Sequence, residues 1–227
     1  DKIIEMTKPT SKSCFLDIGS GTGEISGQLS KKGLQVYALD NSQSMVQHVE
    51  KNHPNVQVKC GDARQAINYE KGSFSHILTT GFSVYLFKNK DEYFRNCFFW
   101  LKPGGYLIVH LVDREKFDPI IPGGKPPLLK DPQKYASSRI TDTVIDFIDF
   151  KYRGNYNFAD LDKNKVTLKE TFTDELTKHV RQQETKLYME DMDFILRRAS
   201  HAGFIPHGQV NLSHCCEDEH QYFVILE

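Results

Sequence analysis

The 227 residues suffice for one ordinary domain, alone or carrying an insertion, and with Lys+Arg 29 against Asp+Glu 30 the formal net charge of −1 gives no basic field for nucleic acid or an anionic membrane. No apolar run approaches the roughly 20 residues that span a bilayer, and no signal-peptide pattern opens the chain. The five cysteines, odd in number and irregularly spaced, fit a reducing compartment better than a disulfide framework, with the cytoplasm as the default.

In chain order, "FLDI" at 15–18 is a short apolar run that reads as a buried strand. Gly19, Gly21 and Gly23 follow, and "EISGQLSKKG" reads as a helix closed by Gly33. Only about a dozen residues precede this strand, so the expectation is a chain without an N-terminal helix. "LQVYALD" at 34–40 is a second strand ending in an acid. "NSQSMVQHVEKN" is a helix capped by Asn41 or Ser42, with Met45, Val46 and Val49 as its buried stripe. "NVQVKCGDA" is a third strand with its exit loop, and "GSFSHILTTGF" a fourth. A helix from about 90 to 101 leads to "LKPGGYLIVHLV", read as a turn at Pro103-Gly104-Gly105 and a fifth strand. Strands alternating with helices at this spacing imply a doubly wound, mostly parallel sheet.

The rhythm changes after 112. The stretch 113–133 holds five of the nine prolines and reads as a long loop, "KPPLL" at 125–129 included. "TVIDFIDFKYRGNYNF" is aromatic and β-branched, "DLDKNK" is a turn, and "KVTLKETF" puts Val166, Leu168 and Phe172 on one face interrupted by Glu170. With "RQQETKLYM" these form an antiparallel meander inserted after strand five. "EDMDFILRRASHAGF" is a helix with Met192, Ile195, Leu196 and Ala199 at helical spacing and Gly203 at its end. "IPHGQVNL" and "HQYFVILE" close the chain as an antiparallel pair at the sheet edge. "SHCCEDEH" at 213–220 does not match a zinc module and reads as a polar turn.

A strand, a glycine turn and a helix start make a site for a nucleotide-like ligand, since glycines admit close backbone approach and the helix start presents unpaired N–H groups. In the dinucleotide pattern the position of Glu24 belongs to a small residue. A carboxylate there suits the helix dipole but repels a pyrophosphate and is too bulky for close packing. The loop therefore suits a ligand without phosphate, and a P-loop is excluded because no Gly-Lys-Ser/Thr follows.

"LDIGSGTG", "VYALD", "GDA" and "LKPGGYLIV", in this order, resemble the class I S-adenosylmethionine-dependent methyltransferases over roughly residues 13–112. The resemblance implies a Rossmann-like α/β fold, a doubly wound, mostly parallel seven-stranded sheet with an antiparallel β insertion after strand five. It implies S-adenosylmethionine as cofactor and S-adenosylhomocysteine as product. Residues 1–112 are expected to form the cofactor-binding core, 113–189 the loop and meander covering the acceptor, and 190–227 the closing helix and edge pair, one domain overall. By resemblance Asp40, next to Asn41, takes the ribose hydroxyls, while Asp62, between Gly61 and Ala63, takes the adenine amino group and Met45 packs on the adenine. Gly19, Ser20, Gly21 and Gly23 form the turn, and Asp17 orients the methionine amino end. Thr79, Thr80 and Gly81 line the methionine and sulfonium region.

Methyl transfer from a sulfonium needs alignment and exclusion of water more than acid–base chemistry, though an amine acceptor must arrive deprotonated. His110, near the end of strand five, is the leading base or orienting group, weighed against a histidine simply satisfied at a strand end. Phe82, Tyr85, Arg114 and Tyr156 are candidates for lining the acceptor pocket. The motif of amino-methylating DNA and glutamine enzymes is missing after strand four, where "TTGF" stands, and so is the paired-Glu loop of protein-arginine enzymes. The insertion resembles the small-molecule branch, including amino-sugar and glycine-type N-methyltransferases, and points to a small-molecule N (or O) acceptor. In that branch an N-terminal helix often closes the cofactor. A catalytically silent partner subunit and a macromolecule methyltransferase stay as alternatives, nucleic acid is disfavoured, no membrane is implied, and the oligomeric state is left open.

Overall fold

Five apolar runs, each followed by a helical or loop segment, pair side by side in the computed structural model, which describes residues 2–125 and 132–227. Strands β1 (Cys14–Ile18), β2 (Gln35–Asp40), β3 (Gln57–Cys60), β4 (Phe74–Thr79) and β5 (Leu101–Val112) alternate with helices α2 (Glu24–Lys31), α3 (Gln43–Asn52) and α4 (Lys90–Trp100). The strand pairs β1–β2, β1–β4, β2–β3 and β4–β5 are parallel. Helix α5 (Met192–His201) precedes β10 (Pro206–Asn211), and β11 (Gln221–Leu226) returns to complete a seven-stranded sheet of order β10-β11-β5-β4-β1-β2-β3. Reciprocal backbone bonds between Ile205 and Glu227, 2.8 and 2.9 Å, mark β10 and β11 as antiparallel at the edge. The sheet is thus mostly parallel with an antiparallel edge, as the seven-stranded doubly wound reading expected.

The chain forms two compact units. One comprises Asp1–Leu111, Met192–Val210 and Tyr222–Glu227, the other Val112–Asp191 and Asn211–Gln221. In the first, every residue of β1 is buried, as a central parallel strand covered on both faces requires. Phe15, Val36, Ala38, Leu78, Ile108 and Ile225 form one core layer. Each of these side chains except the small Ala38 contributes about 1.5–3 kcal/mol by leaving water. Helix α1 (Lys2–Thr7), absent from the sequence reading, packs Ile3 and Met6 on this layer. Six residues with two apolar anchors carry too little periodicity to be seen without the surface that receives them. Of the expected α3 stripe, Val46 and Val49 are buried and Met45 is half-buried. Ser42 is the N-cap residue but accepts no capping bond.

Two local readings change. Pro103-Gly104-Gly105 does not reverse the chain. It lies inside β5, where the register slips between Phe74↔Leu101 and His76↔Tyr106, with Gly104 at φ +69°. The glycines absorb an irregularity within the strand. In the second unit, "TVIDFIDFKYRGNYNF" is a hairpin of β6 (Asp142–Asp146) and β7 (Phe150–Asn157), joined to β8 (Lys165–Asp174) and β9 (Val180–Tyr188) in an antiparallel sheet of order β6-β7-β8-β9. Glu170, the acid on the apolar face of β8, is accommodated because Tyr152 Oη donates to it at 3.0 Å and Gln183 Nε2 at 2.6 Å. Residues 213–216 of the "SHCCEDEH" stretch form the helical turn α6 (Ser213–Cys216). Of the "KPPLL" loop, residues 126–129 lie outside the described residues. No helix among the described residues is long and apolar enough to cross a membrane.

His76, on β4, is stacked on Phe15 at 4.3 Å and bonded through Nδ1 to Ser75 Oγ at 2.8 Å, while its Nε2 is buried without a partner. Burial pushes its pKa down to about 4. The folded state therefore holds it neutral while the unfolded chain protonates near 6.5. Its contribution is complete above that pH and is lost as pH falls through 4. His76→Phe, which keeps the ring stack, should flatten the decline of stability between pH 7 and pH 5 by about 1–3 kcal/mol, read from urea unfolding at the two pH values. An unaltered decline would assign the acid sensitivity elsewhere.

Candidate cofactor site

The turn after β1 is built from left-handed backbone. Gly19 has φ +68° and Gly23 φ +79°, values that side-chain-bearing residues rarely adopt. A Cβ on Gly19 would stand 2.6 Å from Ser83 Oγ, so the turn seats directly against the segment after β4. Gly23 caps α2 with no side-chain bond, and its position would place a Cβ 2.8 Å from Val49 Cγ2. The turn is tied to the end of β2: Gly19 N–H donates to Leu39 O at 2.8 Å, and Gly21 N–H donates to Asp40 Oδ2 at 2.8 Å. Asp40 Oδ1 accepts from Ser42 N–H at 2.9 Å. Each oxygen of this carboxylate keeps a lone pair for a further donor.

Asp17, one strand position before Ile18, is buried, and its Oδ2 accepts from Ser26 Oγ at 2.6 Å. Its Oδ1 has no partner, and neither has Ser20 Oγ in the turn itself. Burial first, with the neighbouring Asp40 charge adding to it, pushes the Asp17 pKa up to about 6. The two orphaned oxygens beside a glycine cradle and an uncapped helix start match a ligand that brings its own donors. Glu24 extends from the first turn of α2 with its side chain 70% exposed.

Asp40, Asn41, Gly61, Asp62, Ala63 and Gly19 share a cavity of about 270 Å³ at the carboxyl ends of β1 and β2. Arg64, Ser83, Leu86 and Phe87 also line it. The sequence reading missed these four. Arg64 directly follows "GDA", and Ser83 enters only because the Gly19 turn lies against it. Asp17, Ser20, Gly21, Gly23 and Met45 are not among the lining residues. The loop after β3 is fastened by polar side chains: Asn96 Nδ2 donates to Ala63 O at 2.8 Å, Trp100 Nε1 to Ala66 O at 3.0 Å, and Asn68 Nδ2 to Asp62 O at 2.7 Å.

After β4 the chain turns through Thr79, Thr80, Gly81 and Phe82. Thr79 Oγ1 and Tyr93 Oη lie 2.7 Å apart, so Thr79 is bound into the core rather than facing the cavity. Gly81 at φ +59° is followed by Phe82 at φ +67°, an unusual conformation for an aromatic residue that concentrates at functional sites. Phe82 stacks on His110, centroids 5.0 Å apart, and packs edge-on to the fully buried Tyr85. Phe223 meets His110 edge-on at 5.5 Å. Phe82, Tyr85 and His110 thus form one aromatic group in the first unit. Arg114 and Tyr156 belong to the second unit, where Arg114 lies over Phe158 at 5.6 Å and Tyr156 packs on Phe117.

A seven-stranded sheet of this order, carrying a glycine turn at β1 and an acid at the end of β2, defines the class I methyltransferase-type α/β fold. Residues 15–105 match the family described as a methyltransferase domain. YqeM of Bacillus subtilis (strain 168) is 31% identical over 128 residues, 53% of this chain and 51% of its own, so the chain spans about half the length of that curated relative. The SAM-bound amino pentose methyltransferase CalS10 of Micromonospora echinaspora superposes with a TM-score of 0.69 at 14% identity, over 99% of this chain and 87% of its own. The sugar N-methyltransferase KedS8 of Streptoalloteichus sp ATCC 53650 gives 0.70 at 15% identity, over 100% and 84%. Over residues 15–105 the chain is thus similar to methyltransferase domains, and its sheet has the Rossmann-like methyltransferase fold.

Asp17→Asn tests the electrostatics of the site without a ligand. The raised carboxyl retains a proton that the unfolded chain has lost, so its stabilisation is present at low pH and disappears as pH rises through about 6. The variant should therefore be more stable than the parent by about 1–3 kcal/mol at pH 8, and the advantage should shrink towards pH 4. Thermal melts at both pH values check it, and a variant less stable at pH 8 contradicts the assigned cause.

Proposed function

We propose that this domain binds S-adenosylmethionine in the cavity at the ends of β1 and β2 and passes its methyl group to a nitrogen, or an oxygen, of a small-molecule acceptor of the amino-sugar kind. The observation that carries this reading is Asp40. Its carboxylate lines the cavity and is held in place by two backbone N–H groups, with acceptor capacity left for the two vicinal hydroxyls of a ribose. Asp62, in the same wall, offers a carboxylate to an adenine amino group, beside Gly61 and Ala63. Asp17 Oδ1 and Ser20 Oγ are donorless oxygens at the turn, suited to the ammonium end of the methionine moiety. No residue of the turn offers a cation to a phosphate, and Glu24 at the helix start repels one.

When bound, the cofactor supplies an already activated methyl group on a sulfonium. The work left to the chain is to orient an acceptor and keep water out. Thr80, Gly81 and Phe82 after β4 are assigned to the reacting end. His110, buried against Phe82 and Phe223, is assigned as the group that orients the acceptor or receives its proton. Nitrogen is favoured over oxygen because the full-length structural neighbours CalS10 and KedS8 are named for an amino pentose and for a sugar nitrogen.

Titration calorimetry with S-adenosylmethionine, S-adenosylhomocysteine and NAD decides the ligand class. Tighter binding of NAD overturns the reading. Asp40→Ala should weaken S-adenosylhomocysteine binding by about 1–3 kcal/mol, the scale of charge-assisted hydrogen bonds to two hydroxyls. Transfer of labelled methyl to a panel of amino sugars and simple amines is the expected activity, and label found chiefly in protein or RNA overturns the small-molecule acceptor.

A further inference from the structure

The amino-binding carboxylate of the cavity is not idle. Asp62 Oδ1 accepts from Arg64 backbone N–H at 2.9 Å and from Arg64 Nε at 3.0 Å. Asp62 Oδ2 accepts from the same Nε at 3.0 Å and from Nη2 at 2.5 Å. All of these bonds come from one residue, and the two side chains form a fork-on-fork ion pair inside the cavity wall. The guanidinium holds the Asp62 carboxyl below its ordinary range. Three N–H groups of Arg64 engage this carboxylate, which has roughly four acceptor positions, so an exocyclic amino group meets an acceptor already largely occupied.

We propose that Arg64 is a latch on the cofactor cavity: its guanidinium occupies the position of the adenine amino group and must swing away before Asp62 can read the base. The proposal rests on the cofactor reading above. Three observations locate the motion in the side chain alone. The loop backbone on either side of Arg64 is fastened by Asn96 to Ala63 O, Trp100 to Ala66 O and Asn68 to Asp62 O, so it does not yield. The Arg64 side chain is 54% exposed and the Asp62 side chain 26%, so the moving partner has solvent to move into. Glu92, exposed in the first turn of α4, adds a minor favourable charge at Arg64, so the guanidinium that leaves Asp62 stays in an acidic surrounding. The latch charges its cost to the ligand whose amino group displaces the guanidinium and not to one that leaves it in place, and in this way the pair acts on base specificity as well as affinity.

The test compares parent and Arg64→Ala by calorimetry with S-adenosylhomocysteine and with its inosine analogue, whose base has a carbonyl in place of the amino group. Removing the latch should tighten S-adenosylhomocysteine binding about two- to fivefold, the scale of a half-exposed ion pair, and leave the inosine analogue almost unchanged. Discrimination between the two bases then rises by the same factor. Weaker or unchanged binding of S-adenosylhomocysteine by Arg64→Ala, in a variant whose melting is unaltered, overturns the latch and leaves the cofactor reading standing. Equal tightening for both ligands also overturns it, because a general electrostatic effect would not distinguish the bases. Absence of S-adenosylhomocysteine binding by parent and variant alike overturns the cofactor reading and the latch with it.

Discussion

The bond from Gly21 N–H to Asp40 Oδ2 is the interaction on which the rest of the site depends. A chain leaving a buried strand and entering a helix within a few residues has several backbone N–H groups and little regular structure to satisfy them. Here the end of the neighbouring strand meets that need: Leu39 O takes Gly19 N–H, and the Asp40 side chain takes Gly21 N–H. The carboxylate that organises the turn is thereby positioned on the cavity wall. One carboxylate thus serves the fold with one lone pair of each oxygen and carries another at the cavity wall. The cost appears at Asp17, whose buried carboxyl is pushed towards its protonated form by burial and, secondarily, by this same Asp40 charge.

Rigidity is distributed unevenly round the cavity. Side chains of α4 fasten the loop after β3 through its carbonyl groups, so Gly61, Asp62 and Ala63 are presented on a fixed backbone. Across the sheet, left-handed Gly81 and Phe82 bring an aromatic ring onto His110, and Thr79 is withdrawn into the core by Tyr93. An aromatic residue in that conformation survives only where its surroundings hold it, and the stack on His110 together with the edge contact to Tyr85 provides that hold. What remains movable is side chain, above all the half-exposed Arg64. Functional sites commonly combine a fixed backbone with a few mobile polar groups, because precision and access are separate requirements.

Much of this architecture was legible in the sequence. Glycines at alternate positions after an apolar run, an acid closing the next strand and the helical periods read at 24–33, 41–52, about 90–101 and 190–204 each reflect a local constraint, and the structure has helices within them at 24–31, 43–52, 90–100 and 192–201. The same holds for the antiparallel edge pair and the presence of a meander. What was misread depended on neighbours distant in sequence. Pro103-Gly104-Gly105 has the composition of a reversal, yet pairing with β4 keeps it inside a strand. The continuous apolar and aromatic run at 143–158 divides into two strands because Phe147 N–H bonds to Phe150 O across a tight turn that no glycine announces.

By itself the sequence determined the α/β class, the succession of strands and helices, the glycine turn and the acids that end β2 and follow β3, since these follow from periodicity, backbone permissiveness and charge along the chain. Only the tertiary structure decided that α1 has a surface to pack on, that Ser83 abuts Gly19, that Thr79 is spent on Tyr93 and that Asp62 is already gripped by Arg64. The reason is physical. A residue type states which bonds a side chain is able to make, whereas the choice among partners within reach is settled by packing that brings together positions tens of residues apart.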